Sequence, residues 1–181
     1  MKKTIIMEEL RAIQLDILDK IHAFCTERGI RYSLGGGTLL GAVRHKGYIP
    51  WDDDIDIMLP RPDYDRFLKE FEGKYAELNL QYYGNDITCC IPFAKVYDNR
   101  TVLIEKLQKS GIYIDVFPVD GLPEESKIKD YLSIYNNQLH KIYFMTPFYK
   151  ITGSLKDRMK YYVKKVFYPT RDKHIMRFYD F

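Results

Sequence analysis

Apolar residues at Leu10, Ile13, Ile17, Ile21 and Phe24 recur at helical spacing and predict an amphipathic helix from about residue 8 to residue 28, stopped by Gly29. Ile30, Tyr32 and Leu34 then alternate as a short strand and run into Gly35-Gly36-Gly37. Thr38 stands where it would cap a short helix from Leu39 to about His45. Gly47 and Pro50 mark residues 46–50 as a loop, and alternation resumes from about Asp53 to Leu59. A second amphipathic helix follows from Tyr64, Phe67, Leu68, Phe71 and Tyr75. Strands are expected over residues 78–82, 93–97, 101–104 and 112–118, with a turn at Asp98-Asn99 and a stop at Asp120-Gly121-Leu122-Pro123.

From Glu124 onward the period is helical. Ile128, Leu132, Tyr135, Leu139 and Ile142 mark one long helix, and Leu155, Met159, Tyr162, Val163 and Val166 mark another. The pattern predicts an α+β fold: a mixed sheet flanked by helices over residues 1–123, then a helical segment over 124–181. At 181 residues, one domain, or one domain with a helical appendage, buries a core without disulfide or metal staples.

The stretch Trp51-Asp52-Asp53-Asp54-Ile55-Asp56-Ile57-Met58 carries four carboxylates within five positions. They repel one another, so a fold keeps them together only where something cationic compensates. On an extended strand Asp52, Asp54 and Asp56 share one face, and Asp53, Ile55 and Ile57 share the other. The isoleucines are expected to anchor the strand in the core while Asp54 and Asp56 project side by side into a cleft. Hard carboxylate oxygens there suit Mg²⁺ or Mn²⁺ holding substrate phosphates. A solvated acidic turn is the alternative, and it explains neither the interleaved isoleucines nor the upstream glycines.

Asp115 lies among Ile112, Ile114, Val116 and Phe117, where an unpaired carboxylate is costly. It is read as a third metal carboxylate, a general base, or one half of a structural salt bridge. Gly36, Gly37 and Thr38 offer backbone N–H groups at a helix N-terminus, a natural cradle for phosphate. Lys95, in a strand with Pro92, Phe93 and Val96, needs an acceptor. Arg44, His45 and Lys46 are either cationic contacts to phosphate or a solvated helix end. Trp51 and Tyr48 are candidates to stack on a base or to pack. His22, His140 and His174 receive no chemistry, and Asp120 is read as a turn residue.

A net charge of +3, from 28 basic and 25 acidic residues, does not argue for nucleic-acid binding. Its distribution changes the picture. Nine Lys and Arg fall between Lys150 and Arg177 against Asp157 and Asp172. Within this tail, residues 154–168 form a basic amphipathic stretch suited to peripheral contact with an anionic membrane, the alternative being ordinary packing. Cys25, Cys89 and Cys90 make no CxxC pair, which suits a reducing compartment. Glu8 and Glu9 interrupt the N-terminal apolar run, and no stretch approaches the roughly 18 apolar residues of a membrane span. A cytoplasmic protein is expected.

Glycines, an Asp-x-Asp strand and a later strand Asp resemble the nucleotidyltransferase superfamily of polymerase-beta-like enzymes, although the usual signature sets its Asp-x-Asp closer behind the glycines. The intervening run Gly36-Gly37-Thr38-Leu39-Leu40-Gly41-Ala42-Val43-Arg44-His45-Lys46-Gly47-Tyr48-Ile49-Pro50-Trp51-Asp52-Asp53-Asp54-Ile55-Asp56-Ile57 is similar to the LicD family, relatives of fukutin and fukutin-related protein. Ala94-Lys95-Val96 and Gly111 to Pro123 match the same pattern.

The resemblance implies a nucleotidyltransferase fold, with Mg²⁺ or Mn²⁺ held by Asp54, Asp56 and Asp115. It also implies transfer of a phospho-alcohol such as phosphocholine from a CDP-alcohol donor to a glycan acceptor of lipopolysaccharide, teichoic acid or capsule type. Family members continue to a Tyr-Gly-Asp-like motif that this chain does not contain, so a truncated or inactive protein is a further expectation. The alternatives are a nucleotidyltransferase releasing pyrophosphate from an NTP and a nucleotide- or glycan-binding pseudoenzyme.

Overall fold

A computed structural model describes residues 4–82, 84–86, 89, 91–104 and 109–145. The expected second C-terminal helix, its basic face and membrane contact, His174 and Cys90 lie outside these residues. Contacts divide the chain into two units. The first comprises Met1–Gln81, Phe93–Leu103 and Ser110–Asp120; the second comprises Tyr82–Pro92, Ile104–Lys109 and Gly121–Phe181.

The first unit opens with helix α1 (Met7–Arg28). Its end is a Schellman motif: Gly29 takes a φ of 62°, its N–H donates to the Thr26 carbonyl, and the Ile30 N–H donates to the Cys25 carbonyl at 2.9 Å. Strand β1 (Ser33–Leu34), helix α2 (Gly36–Arg44), strand β2 (Asp56–Pro60) and helix α3 (Arg61–Phe71) follow. Strands β3 (Leu78–Gln81) and β4 (Ala94–Asp98) come next, then the ribbon strands β5 (Leu103–Ile104) and β6 (Lys109–Ser110), and strand β7 (Tyr113–Val119). The principal sheet has the order β1-β2-β7-β4-β3. It is mixed: β2 and β7 run parallel, and the other neighbours are antiparallel. The observed architecture is α+β.

One face of the sheet is the core. Ile57, Leu59, Ile114, Val116 and Val96 are fully buried there, α1 packs on β4 and β7, and α3 packs on β2 and β7. The helices meet through Phe24, which makes edge contacts with Phe67 and Phe71. Burying such side chains contributes about 1.5–3 kcal/mol each. Alternate residues of the same strands point to the sheet's other face, which carries Asp56, Lys95 and Asp115 beside Met58 and Phe117.

Three sequence expectations shift. Strand β2 begins at Asp56, not Asp53, because the carbonyls of Asp52 and Asp53 accept from side chains of α1 instead of a neighbouring strand. Thr38 is not the cap of α2: Gly35 is, its carbonyl accepting the Leu39 N–H, while Thr38 lies in the first turn. Asp120 is more than a turn residue, since Arg61 grips its carboxylate with two bonds of 2.6 Å.

In the second unit a 3₁₀ turn (Glu125–Lys127) leads into helix α4 (Ile128–Met145). Ile128, Tyr131 and Tyr135 form its more buried stripe, with the two tyrosine rings stacked at 6.4 Å. Leu132, expected on that stripe, is exposed. Among the described residues, no helix is long and apolar enough to cross a membrane.

Candidate active site

The site grows from one row of residues across the sheet face opposite the core. Gln81, Lys95, Asp115 and Asp56 are successive register partners on β3, β4, β7 and β2. Residues so paired point to the same side, and neighbouring strands lie about 4.8 Å apart, so the Asp56 and Asp115 carboxylates are neighbours.

Lys95 and Asp115 are both buried. The ammonium stands 3.5 Å from Asp115 Oδ1 and 3.3 Å from the centroid of the Tyr113 ring, so it is held between a carboxylate and a π-face. Lys95 thus has the acceptor that its strand position demands, and the salt-bridge reading of Asp115 is realised. The pairing is long: at 3.5 Å the ammonium forms an ion pair with the buried Asp115 Oδ1 but no short hydrogen bond.

The glycine turn closes on Asp56. Gly35 N–H donates to the Asp56 carbonyl and Asp56 N–H donates to Thr38 Oγ1, both at 2.9 Å. Gly36 takes a φ of +48°, and a Cβ there would sit 2.7 Å from Asp56 Oδ2; a Cβ on Gly37 would sit 2.5 Å from Asp52 Oδ2. Only glycine allows the N-terminus of α2 to approach both carboxylates this closely. The first-turn N–H groups of Gly36, Gly37 and Thr38 have no partner within the helix and carry its positive end.

The remaining acids lie just ahead of β2. Ile55 anchors the segment in the core, as expected. Asp52, Asp53 and Asp54 each bring a carboxylate oxygen within 4.8 Å of the others. Asp54 and Asp56 are therefore not two residues of one strand: Asp54 belongs to the loop cluster and Asp56 to the sheet row.

Electrostatics joins the two groups. Burial and the charges of Asp56, Asp52 and Asp53 push Asp54 up to about 6. Burial, against the opposing pull of Lys95 and with the charges of Asp56 and Asp54 adding to it, raises Asp115 to about 7. Burial and Asp52 also raise Asp56, again opposed by Lys95. Concentrated, mutually destabilised carboxylates are a physical signature of a cation site.

Other expected residues lie apart from this row. Arg44, His45 and Lys46 are exposed at the far end of α2, about 13 Å along the helix from the glycines by its rise per residue. Among the described residues no ion pair joins them to the carboxylates, and Arg44 Nε donates instead to His45 Nδ1. Trp51 is 78% exposed. Tyr48 packs under the Arg11 guanidinium and donates to Gln14 Oε1.

Arg11 and Gln14 are the functional neighbours that sequence reading missed. The signal was present: Gln14 is a polar residue on the apolar stripe of α1, one turn from Leu10 and from Ile17, and it is 3% exposed.

A model of the family described as LicD/FKTN/FKRP, nucleotidyltransferase domain, matches residues 29–152. The lipopolysaccharide cholinephosphotransferase LicD of Haemophilus influenzae is 43% identical over 130 residues, which cover 70% of this chain and 49% of that protein. The ribitol 5-phosphate transferases FKRP of Mus musculus and Homo sapiens are each 62% identical over 29 residues, 16% of this chain and 6% of theirs. The chain thus spans about half the length of the Haemophilus protein and a small fraction of the two mammalian ones.

Proposed function

The chain belongs to the LicD/FKTN/FKRP nucleotidyltransferase-domain family, and from that premise we propose that it is a transferase moving a phospho-alcohol, phosphocholine-like, from a CDP-alcohol donor to a glycan hydroxyl. The observation that carries the reading is the buried Asp115 carboxylate, held in a long ion pair with Lys95, in register beside Asp56 and within the field of Asp54. A set of hard carboxylate oxygens that one ammonium does not neutralise fits a divalent cation.

Asp54, Asp56 and Asp115 would hold Mg²⁺ or Mn²⁺. Such an ion, when bound, neutralises a diphosphate and stabilises charge on the leaving nucleotide. The nucleotidyltransferase fold is part of the proposal, supported by the sheet order, the glycine turn and the strand carboxylates.

The chain's own groups then divide the work. First-turn N–H groups of Gly36, Gly37 and Thr38 meet phosphate oxygens at the positive end of α2. Lys95 supplies a fixed positive charge behind Asp115 and orients its carboxylate. Asp115, with its affinity for protons raised to about 7, is suited either to ligation or to taking the proton of the acceptor hydroxyl. Arg44, His45, Lys46 and Trp51 are exposed at the end of α2 and on the following loop, where they would be free to meet a nucleotide or glycan.

Family membership favours attack at the phospho-alcohol phosphorus, with release of CMP. Incubating the protein with Mg²⁺, a glycan acceptor and either CDP-choline or each NTP, then assaying CMP and pyrophosphate, tests this. CMP released from CDP-choline is expected. Pyrophosphate released from an NTP, without CMP, would replace the reading with a nucleotidyltransferase. Metal-dependent binding of CDP-choline without turnover would make the protein a pseudoenzyme.

A further inference from the structure

We propose that Gln14 and Arg11, on helix α1, are positioning residues that set the geometry of the carboxylate site; the inference rests on the metal-dependent reading above. The loop that carries Asp52, Asp53 and Asp54 joins α2 to β2 and meets a strand only at its last residue, where the Ile55 carbonyl accepts the Asp115 N–H at 2.9 Å. Before that point its backbone is held by two side chains of a distant helix. Arg11 Nη2 donates to the carbonyls of Ile49 (3.1 Å), Pro50 (2.9 Å) and Asp52 (2.7 Å). That nitrogen has two hydrogens for three acceptors, so at least one is shared, and the three carbonyls must converge. The guanidinium also lies over the Tyr48 ring, 4.8 Å from its centroid.

Gln14 completes the clamp. Its Nε2 donates to the Asp53 carbonyl at 2.8 Å and to the Tyr113 carbonyl at 3.3 Å, while Tyr48 donates its hydroxyl to Oε1 at 3.0 Å. The amide orientation is set by these partners, since two carbonyls can only accept and the nitrogen must face them. Tyr113 lies two residues before Asp115 on β7, and Asp53 adjoins Asp54. One buried amide therefore ties the loop that bears Asp54 to the strand that bears Asp115.

The Ile55–Asp115 backbone bond fixes the C-terminal end of the acidic loop against β7; Gln14 adds a second tie one residue before Asp54, and Arg11 fixes the approach to it. Neither side chain's polar atoms are directed at a carboxylate in these bonds; every loop contact is to backbone or to Tyr48. Their role is thus to place ligands, as outer partners of metal sites do.

The test is calorimetric titration of the full chain with Mn²⁺ alone, below the melting temperature of each variant measured in chelator. Gln14→Met keeps the length of the side chain without its donors and acceptor. It is expected to remain folded and to bind Mn²⁺ about 10- to 100-fold more weakly. Arg11→Met keeps a long side chain over Tyr48 but has no donor for the three carbonyls, and the same direction is expected; it decides the question if Gln14→Met does not fold. A purely structural role would lower the melting temperature and leave the Kd unchanged. If wild type binds Mn²⁺, Asp56→Asn does not, and the folded Gln14→Met and Arg11→Met variants bind as wild type does, the positioning role is overturned alone. If wild type gives no Mn²⁺ binding, the metal reading falls and this inference falls with it.

Discussion

Asp56 and Asp115 stand opposite each other in register on two parallel strands, with Lys95 completing the row beyond Asp115. One ammonium at 3.5 Å does not balance two carboxylates, especially with the Asp54 charge added from the loop. In the metal-free protein this imbalance weakens the fold. A divalent cation would remove it, and several measurable consequences follow from that sign.

The first is pH dependence. Asp115 is raised to about 7 in the folded state from an ordinary value near 3.8, so the native protein holds a proton that the unfolded chain has released. Stability from this group is fully present below about pH 3.8 and is lost as pH rises through about 7. Thermal unfolding in chelator should therefore show wild type losing stability between pH 5 and pH 8. At 1.36 kcal/mol per pKa unit, the loss from Asp115 is on the order of 2–4 kcal/mol. Asp115→Asn should flatten that slope, whatever its absolute stability. Parallel slopes for variant and wild type would contradict the assignment.

Metal and protons should compete. Mn²⁺ or Mg²⁺ is expected to raise the melting temperature of wild type more at pH 8 than at pH 5.5, because ligation requires Asp54 and Asp115 to be ionised. Scanning calorimetry at both pH values with and without metal measures this directly. A metal-induced rise that is larger at pH 5.5 would place binding on other groups.

The glycine turn gives a paired substitution test. Gly36→Ala forces a Cβ to within 2.7 Å of Asp56 Oδ2 at a φ of +48°. It should cost about 1–3 kcal/mol and weaken metal binding together with stability. Gly47→Ala meets nothing within 4 Å and has an ordinary φ, so a change within about 0.5 kcal/mol is expected. Urea unfolding of both variants, beside Mn²⁺ titration, separates the close approach from a general dislike of substitution in this segment.

Thr38 holds the start of β2. Thr38→Val removes the acceptor for the Asp56 N–H and should cost about 1–3 kcal/mol by leaving that donor unsatisfied. Thr38→Ser keeps the hydroxyl and should recover most of the loss. A loss in Thr38→Ser with none in Thr38→Val would assign the effect to the methyl group and its packing.

Much of this arrangement was legible in the chain. Hydrophobic period alone located α1, α3 and the core strands, because Ile17, Phe24, Phe67 and Ile114 mark faces that must be buried. Asp115 and Lys95 stood out as charges in apolar strands, and the register places them side by side. What could not be read was any bond made by backbone to a distant side chain. The carbonyls of residues 49, 50, 52 and 53 look alike in every sequence, so their capture by Arg11 and Gln14, which moves the start of β2 from Asp53 to Asp56, left only the trace of a polar residue on an apolar stripe. Likewise, nothing local to the Asp120-Gly121 turn announced its partner Arg61, 59 positions earlier.

The most direct test of the central claim is metal-dependent release of CMP from CDP-choline, in the presence of a glycan acceptor for the phosphocholine, by wild type and by Asp56→Asn, with each protein first shown to be folded by circular dichroism. Asp56→Asn keeps the side-chain shape and the backbone bonds to Thr38 and Gly35 but removes the charge that faces Asp115. The account predicts CMP release by wild type that requires Mg²⁺ or Mn²⁺, and a fall of at least about 100-fold in the folded variant, the scale expected when a main electrostatic contributor is removed. CMP release by folded Asp56→Asn at the wild-type rate, with the same metal requirement, would contradict it.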